Sequence, residues 1–99
     1  MIAVTRKKDG LFISGHADYA PPGQDIVCAA VSVLIQTLIQ SIEELTADRI
    51  VYSMEPGLTT LKYWCLSDET KTLINAFFIG IDGIAAAYPD NVIVINEAV

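Results

Sequence analysis

Two turn dipeptides set the frame of this 99-residue chain. Asp9-Gly10 stands between β-prone residues 2–8 and 11–13, and Pro56-Gly57 stands between residues 49–55 and 59–65. Each dipeptide supplies the backbone freedom or preset φ that a tight hairpin requires. Behind each hairpin comes a segment whose apolar residues repeat at helical spacing, and a final β-prone segment, 91–96, follows the second. The order predicted is β-β-α-β-β-α-β, an α+β fold with two helices laid on a mostly antiparallel sheet in one domain over residues 1–99. The two ββα halves are alike in outline only.

Within the first helical segment Asp25 reads as the N-cap, and Val27, Val31, Leu34, Leu38, Ile42 and Leu45 form the stripe expected to face the core. A second stripe, Asp25, Cys28, Ser32, Gln36, Gln40 and Glu43, runs along another face of the same helix. Ser67 or Asp68 caps the second helix, which carries Leu73, Phe77, Ile81, Ile84 and Tyr88 and ends before Pro89. Gly80 and Gly83 interrupt that helix at about 1 kcal/mol each, which points to close packing against a neighbour. The last strand is apolar on both sides, as in a strand covered on both faces or paired across an interface.

Composition narrows the functional classes. A chain of this length holds one core, and 53% apolar against 18% charged residues excludes intrinsic disorder. The longest apolar run, 26–35, falls short of the ~20 residues that cross a bilayer. The first residues, MIAVTRKKDG, lack the order of a secretory signal. A cytoplasmic protein with no membrane role is expected, and the apolar excess points to an oligomer. Twelve acidic against six basic residues, net −6, argue against nucleic acid as the main partner. The one basic cluster, Arg6-Lys7-Lys8, reads as a solvated hairpin tip. No glycine-rich phosphate loop is present, so no nucleotide cofactor is expected. One histidine and two separated cysteines do not make a metal site of usual spacing.

Those scarce residues also limit the chemistry. Cys28 falls in the first turn of the first helix, where free N–H groups and the helix dipole favour a thiolate. His16 lies twelve residues earlier, at the start of the Gly/Pro-rich loop 15–24. A strand end and a helix start joined by such a loop can meet, so an imidazole can take the thiol proton and later protonate a leaving amine. Gly15 allows close backbone approach beside His16, Ser32 lies one turn past Cys28, and the helix-start N–H groups can stabilise an oxyanion. Asp25 serves either as cap alone or as a third group orienting His16. Against this stand the plainer readings of Cys28 as an inert packed residue beside Ala29 and Ala30, and of His16 as an ordinary loop histidine. Cys65, next to Trp64 at a strand end, reads as structural.

The run Gly15-His16-Ala17, the short loop ending at Gly23, and the segment GQDIVCAAVS through Ser32 resemble the ribosomal-processing cysteine protease family, called Prp. The resemblance implies a homodimeric endopeptidase with Cys28 as nucleophile and His16 as base. Gly15, Asp25 and Ser32 match further motif positions, as supporting or substrate-pocket residues. The implied substrate is the precursor of a large-subunit ribosomal protein, cut after an aromatic residue in a hydrophobic motif, or a phage protein with a similar motif. The competing class is a non-catalytic dimeric α+β module that binds a peptide or ligand. A structural adaptor in which His16 and Cys28 are incidental is the third.

Overall fold

The computed structural model describes residues 1–98; Val99, the last residue of the expected domain, lies outside them. The elements run β1 (Ile2–Lys7), β2 (Gly10–Ser14), α1 (Ile26–Leu45), β3 (Ile50–Glu55), β4 (Leu58–Tyr63), α2 (Asp68–Ala87) and β5 (Val92–Asn96). The predicted β-β-α-β-β-α-β order is therefore the observed one. The strands form a single sheet in the order β3-β4-β2-β1-β5. Three pairings are antiparallel, and β5 lies parallel to β1, as a strand returning through a helix does.

Strand alternation sorts the sheet into two faces. Ile2, Val4, Leu11, Ile13, Leu61, Tyr63 and Val92 are buried on the face that α1 and α2 cover. The opposite face carries Ala3, Thr5, Phe12, Thr60, Ile93 and Ile95 in register across the strands, and no element among the described residues covers it. β5 is consequently an edge strand with Ile93 and Ile95 exposed, not a strand covered on both faces.

Local departures from expectation have identifiable causes. The first hairpin closes one residue early, over Lys8-Asp9, with Lys7 opposite Gly10. Gly10 belongs to β2 and is required there by β4, because a Cβ would run into the Leu61 carbonyl oxygen. On α1 the buried row is Val27, Val31, Ile35, Leu38, Ile39 and Ile42; Leu34 is half-buried and Leu45 is 70% exposed. The helix is apolar on most sides, so composition did not fix its phase and packing did. All 20 residues of α1 together are long and apolar enough to cross a membrane, which the shorter run 26–35 hid. That buried row instead packs into the core shared with the sheet and α2.

On α2, Ser67 is the N-cap and accepts the Thr70 N–H, and the buried row is Thr70, Ile74, Phe77, Phe78 and Ile81. The close-packing expectation holds for Gly80, where an added Cβ would lie 3.1 Å from Leu34 Cδ1, but Gly83 faces open space. Cys65 is not a packed strand residue. It follows β4 with φ +52 and is exposed, as is Trp64.

Candidate active site

The loop between β2 and α1 begins with a backbone only glycine adopts readily. Gly15 has φ +90, and a Cβ there would collide with the Met1 carbonyl oxygen. Its N–H donates to the Gly57 carbonyl at 2.9 Å, which ties the tip of the β3–β4 hairpin to the residue before His16. Gly57 itself has φ +76, and a Cβ on it would lie 3.0 Å from His16 Nε2. The imidazole therefore rests against the bare Cα of the hairpin turn.

Ala17, buried next to His16, connects the loop to α1 and to the turn that precedes β5. Its N–H donates to Cys28 Sγ at 3.4 Å, and its carbonyl accepts from Asn91 Nδ2 at 2.9 Å. The next residues are held by the Tyr19 ring standing edge-on to Tyr88 at 5.3 Å and by Met1, whose amino group lies 3.5 Å from Asp18 Oδ2. The Met1–Asp18 pair is exposed and adds little.

Asp25 secures the other end. Oδ1 accepts the Val27 and Cys28 N–H groups at 3.0 and 2.9 Å, and Oδ2 accepts those of Tyr19 and Ala20 at 3.0 and 3.4 Å. These contacts, the Cys28 N–H foremost, hold its carboxyl below the ordinary value of 3.8 against an opposing effect of partial desolvation. One carboxylate thus caps α1 and clamps the loop, and all these bonds go to backbone N–H groups rather than to His16. The cap also occupies the Val27 and Cys28 N–H groups, so those two donors are not free to receive an oxyanion as the sequence had led us to expect.

His16 and Cys28 line the same two clefts. The first, of about 360 Å³, is walled by the hairpin tip from Met54 to Thr59 and floored by Ile2, Ile13, Val31 and Ile35. The second, of about 540 Å³, lies on the loop side and is bounded by Asp18, Pro22, Gly23, Asp25 and Ala29. Ser32, exposed one turn past Cys28, borders both; Gly15 borders the first. The five residues singled out from the sequence are therefore gathered at one place. A thiol and an imidazole facing a shared opening suit nucleophilic attack on a carbonyl, with clefts on both sides for an extended chain. The hairpin tip and Asn91 were missed. Pro56-Gly57 was legible as a turn, but only the strand order brings it beside β2.

The family model described as cysteine protease Prp matches residues 1–93. The chain belongs to the cysteine protease Prp family. A ribosomal processing cysteine protease Prp from Mycoplasma genitalium is 36% identical over 104 positions, covering 98% of this chain and 96% of the relative. The structure of Prp from S. aureus with a covalently linked product peptide matches with a TM-score of 0.94 at 23% identity, over 98% of this chain and all of the other. The same S. aureus protease with a substrate peptide matches at 0.82 and 20% identity, over 97% of each chain. The family's activity makes this chain a cysteine protease, and the fold likeness extends over nearly its whole length.

Proposed function

We propose that this protein is the endopeptidase that removes a short N-terminal extension from a large-subunit ribosomal protein, with Cys28 as nucleophile and His16 as general base. The observation that carries the reading is the position of these two side chains on the wall common to two open clefts. The Cys28 sulfur attacks the scissile carbonyl after His16 takes its proton, and the imidazolium then protonates the leaving amine. Water hydrolyses the thioester and restores the thiol. Ile2, Ile13, Val31, Ile35, Met54 and Leu58 give the hairpin-side cleft the apolar lining that a hydrophobic motif with an aromatic residue needs. The peptide complexes of the S. aureus relative and the processing role in the name of the Mycoplasma genitalium relative support this substrate class.

Net charge −6 favours encounter with a basic ribosomal protein in the cytoplasm. The working form is a homodimer: Ile79 on α2 is 75% exposed, and Ile93 and Ile95 line the edge strand, so a second copy has apolar surface to cover. Incubation of the purified protein with ribosomal protein precursors, read by intact mass, tests the reading. One precursor shortened at its N-terminus after an aromatic residue supports it; no shortened species among the large-subunit proteins overturns it.

A further inference from the structure

The chain has only six basic residues, yet four of them, Arg6, Lys7, Lys8 and Lys71, line one cleft of about 280 Å³. The Arg6, Lys8 and Lys71 side chains approach it from β1, the first hairpin turn and α2, whereas Lys7 borders it from the strand but alternates to the other sheet face, where its ammonium lies over Phe12. The cleft is remote from the catalytic clefts: Ile2 borders one of those, whereas Arg6 stands four residues further along the same strand, about 13 Å away. In a protein of net −6, such a concentration of cations is the reverse of what a uniformly solvated surface would show.

The cleft is also partly preorganised. Arg6 Nη2 donates to Asn75 Oδ1 at 2.9 Å, and the guanidinium lies 4.6 Å from the centroid of the Phe78 ring. Lys7 is drawn aside by Glu97 at 3.7 Å and by the Phe12 ring. Among the described residues, Arg6, Lys8 and Lys71 have no carboxylate partner. Cations held near each other repel even where solvent reaches them, and an anion seated between Arg6, Lys8 and Lys71 relieves that repulsion.

We propose that this cleft binds a phosphate group. A carboxylate is best met by the planar fork of one arginine, whereas ammonium and guanidinium groups approaching from three elements suit a tetrahedral, multiply charged anion. The Tyr63, Leu66 and Ile74 side chains beside them give an apolar wall on which the remainder of a phosphorylated ligand can rest. The phosphate is either free or part of an RNA backbone, a source available to an enzyme that meets ribosomal proteins.

Lys8 and Lys71 are exposed, so a Lys8→Ala, Lys71→Ala double variant folds normally. Two probes are compared in it and in the unaltered protein. The first is the melting temperature in inorganic phosphate against chloride at equal ionic strength; the second is the anisotropy of a labelled single-stranded RNA hexamer. A phosphate-specific rise in Tm that vanishes in the variant supports the site and identifies a free ligand. RNA binding that weakens at least about tenfold, with the salt slope reduced by about one per lysine, supports it and identifies a backbone. No response to either probe, a response that survives both substitutions, or equal binding of a hexaglutamate peptide overturns it. Cleavage of a short peptide substrate stays unchanged in the variant.

Discussion

Gly57 leaves the space that the His16 imidazole fills: a Cβ on Gly57 would stand 3.0 Å from Nε2, closer than ordinary side-chain packing permits. The turn of one hairpin thereby forms the backstop for a candidate base carried by another. Because the Gly15 N–H also donates to the Gly57 carbonyl, the tip cannot withdraw without disturbing the loop that carries His16.

Gly57→Ala accordingly places a methyl group against the imidazole and adds strain at φ +76, about 1–2 kcal/mol for an L residue. The expected result is a kcat at least about tenfold lower with a Tm reduced by about 5–10 °C. A variant that melts earlier but turns over at the original rate shows that Gly57 matters to the turn and not to His16.

Asp25→Ala removes the cap of α1 and the clamp on Tyr19 and Ala20 together. At pH 7 the Tm falls by about 5 °C or more. The folded-state value of this carboxyl lies below 3.8, so its stabilisation is complete above that pH and is lost as acid carries the group through its lowered folded value. Thermal melts of the two proteins should therefore draw together as the pH falls below 3.8 and through that lowered value. Asp48, held low by the Thr70 hydroxyl and by the Ser67 hydroxyl and N–H, loses its contribution in the same direction.

The two interruptions of α2 separate cleanly. Gly83 has nothing within 4 Å of an added Cβ, so Gly83→Ala raises stability by about 0.5–1 kcal/mol. Gly80→Ala meets Leu34 Cδ1 at 3.1 Å and Cδ2 at 3.3 Å, and the gain shrinks or reverses. Denaturant midpoints of both variants measure the difference; equal gains would mean that the helices are not closely apposed at Gly80.

Both thiols are free, and Cys65 is the more exposed. Small alkylating reagents are therefore expected to modify both cysteines. An electrophile attached to a hydrophobic peptide should instead label Cys28 only, because the clefts proposed to seat the peptide are lined by Cys28 and not by Cys65. Peptide mapping by mass spectrometry distinguishes the two; comparable labelling of Cys65 by the peptide reagent would count against substrate-directed reaction.

What could be read from the sequence was local. Asp25 and Ser67 act as caps as their positions implied, and the element order follows from turn dipeptides and periodicity. The twelve-residue spacing of His16 and Cys28 across a Gly/Pro loop was enough to place them at one site. Contacts distant in sequence were not legible. Nothing in residues 54–59 announces that β4 pairs with β2, and only that pairing brings Gly57 to His16. Asn91 reaches Ala17 across 74 positions. The phase of α1 was missed because Leu34 and Leu45 are as apolar as Ile35 and Ile39, so only the sheet decides which row is buried.

The central claim is that Cys28 and His16 perform the cleavage. Its most direct measurement is the rate of hydrolysis of a peptide carrying the hydrophobic motif by Cys28→Ala, Cys28→Ser and His16→Ala, each checked for an unchanged melting profile. The account predicts no detectable turnover for either Cys28 variant and a loss of at least about a hundredfold for His16→Ala. Full activity in a folded Cys28→Ala protein would contradict it.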